Sequence, residues 1–365
     1  MDKELHEVEY GISKFNNSSG VTCYINSILA ILQQTPIFAD YILNANYKDK
    51  IKNTESILFQ LYNIINLSHT YDNYNINPDT FRKVVSLKNE MWGYQQHQDS
   101  QEFLSFLLNS IEEEIAEKVQ FIPGRITKST NNNSQNKFEN NLLNIMANNC
   151  WQNYLKNEFS IIKNLFGGMS HVVIICSKCN NKSHNFDFFQ ILQLSINNIT
   201  NNTLYECLDE FIKEEKVDKD NMIKCDFCGH YNQSIKQTKL WKLPKILIIQ
   251  LKRFQSNNYG VINTQRVKIS NMIDYPINLN IENYVNINNN NNYNYNYSLF
   301  AVNNHHSIGN FNSINFGHYT STVINRFDNK WYKFDDAKEL TETNDIISKN
   351  AYNLFYIQEP KLFHS

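Results

Sequence analysis

The reading of this chain turns on "GVTCYINSILAIL", residues Gly20–Leu32. Ile25, Ile28, Leu29 and Leu32 recur at the spacing of one helical face. Thr22 stands at the N-cap position, and Thr35-Pro36 closes the helix. Cys23 therefore falls in the first turn, where unpaired backbone N–H groups and the helix dipole favour a thiolate. A cysteine on a helix is more often a core thiol. The stretch thus poses a choice between a buried thiol and an activated nucleophile, and the rest of the chain must decide it.

Moving outward, "HQDSQEFLSFLLNSIEEEIAEKV" reads as a second amphipathic helix, with Phe103, Phe106, Leu107 and Ile111 on its apolar face. Asp99 and Glu102 have the spacing of a capping box, which by itself would account for "QDSQEF". Beyond residue 165 the pattern changes to β-branched and aromatic runs: "MSHVVIICSKCNNKSHNFDFFQILQLSI", "KILIIQLKRF", "YSLFAVNNHH", "GHYTSTVINRF", "KWYKFDD" and "AYNLFYIQEP". A helix, "TLYECLDEFIKEEKV", interrupts them. Helices early and strands late predict an α+β protein with a helical lobe against a sheet lobe.

Composition narrows the function classes. The 34 Lys and Arg nearly balance the 36 Asp and Glu, so no nucleic-acid or membrane-surface partner is expected. No apolar run follows "MDKELHEVEY", and "KILIIQL" is far too short to span a bilayer, so a cytoplasmic or nuclear protein is expected. Seven cysteines, an odd number, then read as reduced thiols kept for chemistry or metal. "STNNNSQNKFENN" and "YVNINNNNNYNYNYS" are low-complexity and read as loop insertions unable to order themselves.

Two pairs of cysteines share one spacing, Cys176-x-x-Cys179 and Cys225-x-x-Cys228. Four thiolates from two such knuckles suit a tetrahedral structural zinc site. The long stretch between the pairs predicts two hairpin tips brought together. His184 and His230 lie close by, but four cysteines already fill the coordination sphere.

A cysteine nucleophile needs a base, and the base needs an orienting group. His318 in "FGHYTSTV" is the best placed of ten histidines. A turn near Arg326–Asn329 folds Trp331–Asp335 back along Tyr319–Val323, making His318 and Asp335 approximate cross-strand neighbours. Asp336 points to the opposite face if the strand stays regular. The chain order Cys23, His318, Asp335, with the first on a helix and the others on a hairpin of the second lobe, is similar to the two-lobed papain-like cysteine proteases.

On longer motifs the chain resembles the ubiquitin-specific protease family of deubiquitinases. "GVTCYINSILAIL", "QDSQEFLSFLL", the paired knuckles, "LPKILIIQLKRF", "YPINL", "YSLFAVNNH", "GHYTSTV", "WYKFDD" and "AYNLFYI" occur in family order over about 15–357. The resemblance implies a papain-like catalytic domain over 15–360 after a tail at 1–14. It implies a thumb at about 15–125, an Asn-rich insertion at about 126–150, zinc-bearing β fingers at about 165–240, and a palm at about 241–360 with an Asn-rich loop at about 286–297. It implies hydrolysis at ubiquitin's C-terminal glycine, with Cys23 as nucleophile, His318 as base and Asp335 as its orienter. Gln98, Asp99 and His305 would contact substrate, and Cys176, Cys179, Cys225 and Cys228 would hold structural zinc. Ubiquitin or ubiquitinated proteins would be the partners of a monomer. The family's oxyanion asparagine, five residues before the nucleophile, is Ser18 here, with Asn17 one further back, and Phe15-Asn16 replaces the usual Gly-Leu. The segment 306–316 is longer than the family's loop there. A non-catalytic ubiquitin-binding module and a protease for another ubiquitin-like modifier are the competing readings.

Overall fold

The computed structural model describes residues 12–44, 53–71, 73–121, 135–156, 158–197, 202–217, 219–256, 266–286, 294–307, 317–338 and 340–360, without the side chains of 135–138, 255–256 and 266–267. The insertion's first part, residues 287–293 of the second Asn-rich stretch and most of the long segment 306–316 lie outside them.

The helical lobe comprises α1 (Cys23–Leu32), α2 (Phe38–Asn44), α3 (Ile57–Thr70), α4 (Asp79–Lys88) and α5 (Ser100–Ile115). It is edged by the short parallel pair β1 (Lys14–Phe15) and β2 (Asn75–Ile76). The apolar positions of α1 predict one buried face, yet every residue of the helix is buried. The reason is its position between α5 and the main sheet. Its polar residues find partners there: Asn303 donates to Ser27 Oγ at 3.0 Å and accepts from Ser100 Oγ at 2.7 Å, pinning α1, α5 and the sheet together. Burying each Ile or Leu of α1 stabilises the fold by about 1.5–3 kcal/mol.

Among the described residues the main sheet has eight strands. Its strands are β5 (Ile191–Ser195), β10 (Ile246–Lys252), β13 (Asn278–Asn280), β14 (Asn296–Ser307), β15 (Gly317–Ile324), β16 (Trp331–Phe334), β17 (Thr341–Glu342) and β18 (Ala351–Gln358). The order is β17-β16-β15-β14-β18-β10-β5, with β13 on β14. "ILIIQL" in β10 is buried on both faces, as its unbroken apolar run requires. One face of the sheet meets the helical lobe; the other covers α8 (Leu204–Ile212), whose Thr203 and Glu206 form a capping box. A second sheet, β4-β3-β9-β6, projects from this body: β3 (Gly168–Ile175), β4 (Lys182–Phe189), β6 (Glu215–Lys216) and β9 (Ile235–Lys242). The small hairpin β7 (Ile223–Lys224)–β8 (Tyr231–Asn232) joins it at the tip, and β11 (Phe254–Ser256) pairs antiparallel with β12 (Arg266–Lys268).

Two sequence-based boundaries change. The span 165–240 is not all projecting sheet: β5 and α8 return to the main body because Leu192, Leu194, Leu204 and Leu208 are buried in its core. The insertion at 126–150 is not all loop, since α6 (Gln135–Lys156) is helical. Leu143, Ala147, Trp151 and Leu155 recur every four residues along it. Leu143 and Ala147 are buried against Met169 and Trp241, and Trp151 packs on this cluster. That stripe is enough apolar surface to order a helix whose other faces are rich in asparagine. α7 (Ile161–Phe166) then leads into β3.

Candidate active site

Cys23 is the first residue of α1 and is 1% exposed. Thr22 occupies the N-cap position but makes no side-chain cap. Its hydroxyl instead donates to Asn17 Oδ1 at 2.8 Å, and its backbone N–H reaches the same oxygen at 3.1 Å. Asn17 thereby closes a loop over residues 17–22, in which Gly20 takes φ +73°, the left-handed region that favours glycine. Ser18 turns the other way, its hydroxyl donating to Asp79 Oδ2 at 3.4 Å.

The β15–β16 ladder ends at Ser321 opposite Phe334. Asp335 lies just beyond it, and its Oδ1 is 2.6 Å from His318 Nε2. Lys338 donates to its other oxygen at 2.8 Å. Asp336 does not continue a regular strand to the opposite face. The strand has stopped, and φ +52° at Asp336 swings its carboxylate to within 4.8 Å of the His318 and Asp335 ligand atoms. Asp336 accepts from Asn17 Nδ2 and Asn26 Nδ2, both at 2.8 Å. The turn after β16 is thus tied to both the loop before Cys23 and the helix that carries it.

The electrostatics follow from these contacts. Bonding to Asp335, then to Cys23, raises His318 to about 10. The same His318 bond, reinforced by Lys338, holds Asp335 well below the ordinary carboxylate range despite burial. Burial pushes the Cys23 thiol up, but side-chain bonds to His318 and His97 and the backbone of Tyr319 outweigh it, and the thiol lies below its ordinary value. The site therefore favours a thiolate beside an imidazolium, the resting form of a nucleophilic cysteine. Sequence reasoning missed His97. Its only signal was a titratable side chain two residues before the Asp99 cap.

The three residues expected to contact substrate separate. Gln98 is half-buried in the segment leading into α5. Asp99 caps α5 through Gln101 N–H at 2.7 Å and accepts from Tyr352 Oη at 2.7 Å; burial raises it to about 6. It lines a cleft of about 500 Å³ with Glu102, Gln250, Arg253 and Tyr352. His305 is a correction. It is fully buried, its ring packed between Phe254 and Tyr319, and desolvation lowers it to about 3. Gly317 covers it so closely that a Cβ there would clash with the His305 ring. His305 is a core side chain under the strand that carries His318, not a surface contact.

At the far end of the second sheet, Cys176, Cys179, Cys225 and Cys228 bring their sulfurs within 4.8 Å of one another. They come from two like turns, one at the β3–β4 hairpin tip and one between β7 and β8. In each, the first cysteine's carbonyl accepts from a residue in the left-handed region: Asn180 (φ 60°, 2.9 Å) and Gly229 (φ 70°, 2.8 Å). The sulfurs of Cys176 and Cys228 lie 3.8 Å apart and those of Cys179 and Cys225 3.7 Å apart. A tetrahedron with metal–sulfur bonds of about 2.3 Å has edges of about 3.8 Å, so this donor set can hold a metal ion. His184 and His230 stay outside it: His184 pairs with His171, and His230 bonds the Cys228 carbonyl.

A cysteine at a helix start, near a histidine and carboxylate on a neighbouring sheet, is an arrangement suited to thiol chemistry. The family model "Ubiquitin carboxyl-terminal hydrolase" matches residues 15–356, and the chain belongs to that family. It is 29% identical over 341 residues to ubiquitin carboxyl-terminal hydrolase Usp2 of Drosophila melanogaster, covering 92% of this chain and 34% of that protein. It is 27% identical over 368 residues to ubiquitin carboxyl-terminal hydrolase 4 of Saccharomyces cerevisiae, covering 95% and 39%. The chain thus spans between a third and two fifths of these relatives. Its fold matches the SAGA Ubp8/Sgf11/Sus1/Sgf73 DUB module bound to ubiquitin aldehyde, with TM-score 0.72, 24% identity, and coverage of 97% of this chain and 71% of that one. No helix among the described residues is long and apolar enough to cross a membrane.

Proposed function

We propose that the chain is a thiol-dependent deubiquitinase, cleaving the isopeptide or peptide bond after ubiquitin's C-terminal glycine. The observation that carries this reading is the linked set of Cys23, His318 and Asp335 at the junction of the two lobes. The Cys23 thiolate attacks the glycine carbonyl. The tetrahedral adduct collapses as His318 gives its proton to the departing lysine amine, leaving a thioester on Cys23. His318, now neutral, takes a proton from water. The hydroxide released attacks the thioester, and ubiquitin leaves as the carboxylate with the thiolate restored. Asp335 keeps the imidazole oriented and stabilises its charge.

For the oxyanion, the geometry favours Asn17 over Ser18. Asn17 lies against the first turn of α1 and has one amide hydrogen left after Asp336 takes the other. The Ser18 hydroxyl faces Asp79. Asp99 lines the 500 Å³ cleft, the proposed route of the substrate's tail, and Gln98 is its neighbour in sequence. The metal we infer for the four cysteines is zinc, whose borderline-soft character suits thiolates. When bound it joins two hairpin tips and takes no part in the chemistry.

Turnover of fluorogenic ubiquitin, beside the same reporter on other ubiquitin-like modifiers, tests the reading. Ubiquitin cleavage abolished by Cys23→Ala is the expected result. Preference for another modifier supports the neighbouring specificity, and binding without cleavage by the wild-type chain supports a recognition module.

A further inference from the structure

A cavity of about 410 Å³ in the helical lobe has no part in the mechanism above. Ser18 and Ser19 line it from the loop over residues 17–22, Arg82, Lys83 and Ser86 from α4, and Gln95 from the segment after the 3-10 turn Glu90–Gly93. Arg82 is its anchor. The side chain is only 8% exposed. Its Nε donates to the Trp92 carbonyl at 3.1 Å, and its Nη2 donates to those of Gly93 at 3.2 Å and Tyr94 at 2.7 Å. Nη1 donates to the Ser19 hydroxyl at 3.4 Å and keeps its second hydrogen unspent among the described residues.

Every one of these partners is neutral. Carbonyls satisfy N–H groups but carry no formal charge, so they leave a buried guanidinium without a counterion. The wall adds a second cation, the exposed Lys83, and one carboxylate, Asp79. Asp79 stands three and four residues before the two cations on α4, yet among the described residues it pairs with neither and accepts instead from Ser18 Oγ at 3.4 Å. The Ser86 hydroxyl is spent on the Lys83 carbonyl at 2.7 Å, whereas the Ser19 hydroxyl accepts from Arg82 and has its own hydrogen to give. Guanidinium, ammonium and hydroxyl donors converging on one space suit the oxygens of a phosphate group.

We infer that this cavity binds a phosphate-class oxyanion, either inorganic phosphate or a small phosphomonoester, held by Arg82 Nη1, the Ser19 hydroxyl and the Lys83 ammonium. The site is separate from the hydrolytic one, since Cys23, His318 and Asp335 are not among its walls. The two share a stretch of chain. Ser19 belongs to the loop that Asn17 closes onto Thr22, one residue before Cys23. An anion that ties Ser19 to α4 therefore braces the loop leading into the nucleophile. Asp79 opposes the anion, so the two exposed charges of the wall act on binding with opposite sign.

Isothermal titration of the full chain with inorganic phosphate, at an ionic strength held constant with chloride, reads binding with no ubiquitin present. The result is thus independent of the hydrolase reading. One saturable site with a Kd on the order of 1 mM or tighter is expected. Phenyl phosphate titrated in the same way shows whether the free ion or an ester is preferred, and either preference supports the site. Lys83→Glu should weaken phosphate about five- to tenfold, and Asp79→Asn should tighten it about threefold. Arg82→Gln should abolish binding. Arg82 also holds the carbonyls of residues 92–94, so should that variant not fold, Lys83→Glu and Asp79→Asn carry the prediction by themselves. Absence of saturable binding up to about 20 mM phosphate overturns the inference. So does a Kd that moves less than about twofold, or in the wrong direction, in either charge variant.

Discussion

The two cysteine-bearing regions of this molecule are held in opposite ways. Cys23 is fixed by its surroundings: a helix buried on every side, a sheet beneath it, and side-chain bonds joining residues some 300 positions apart, such as Asn17 and Asn26 to Asp336. The four cysteines at the tip of the second sheet have almost no core. Phe227 and Tyr231 beside them are 65% and 66% exposed, and the β7–β8 hairpin has two residues per strand. A hairpin that small is marginal by itself in water. The first region should therefore keep its shape without its thiol, whereas the second should depend on its sulfurs for its shape.

The largest effect should be Cys23→Ala, with turnover reduced on the order of 10⁴-fold or more. Its melting temperature and metal content should match wild type. A variant that unfolds would break the comparison, because it would give Cys23 a structural role.

Next is Asp335→Asn, expected to lower kcat by on the order of 100-fold or more through loss of the imidazole's orientation. It should also alter the pH profile. His318 is raised to about 10 chiefly by Asp335, so the ion pair is complete below the imidazole's ordinary 6.5 and is lost as pH rises through about 10. Without the carboxylate the folded-state value falls, and the alkaline limb of kcat/KM should move to lower pH. Thermal stability measured from pH 6 to 10 should likewise decline in wild type and stay flatter in the variant.

The pair Asn17→Ala and Ser18→Ala sharpens the same region. Asn17→Ala should cost about 10- to 100-fold in kcat, since both the loop closure and the remaining amide donor are lost. Ser18→Ala should stay within about twofold.

The smallest effect on turnover belongs to the tip. Cys225→Ser, or a chelator, should remove about one metal ion per chain and lower the melting temperature by a few degrees. Hydrogen exchange should quicken across residues 223–232, while α1 and β15 stay protected. Equal loss of protection in both regions would mean that the tip is not an independent unit.

The same contrast explains what could be read without coordinates. The knuckles were legible because metal-ligand spacing is local, and the helix start at Cys23 and the nearness of His318 to Asp335 because helix and hairpin geometry is short-range; that Cys23 acts with them was implied only by the family resemblance. What failed depended on where regular structure stops or on few residues in biased composition. Asp336 was assigned a face by extending a strand beyond Phe334, where the chain instead turns at positive φ. The stripe Leu143, Ala147, Trp151 and Leu155 was hidden in asparagine. His305 was judged by its place in a motif, whereas its burial depends on the glycine at 317 in the next strand. His97 was overshadowed by the capping role of its neighbour Asp99.

The central claim, that Cys23 is the one thiol of seven poised for acyl transfer, is tested most directly by an electrophilic ubiquitin probe and mass-spectrometric mapping of the adduct. The account predicts one modified cysteine, Cys23, with labelling lost in Cys23→Ala and retained in Cys225→Ser. An adduct on any other cysteine, or labelling that survives Cys23→Ala, would contradict it.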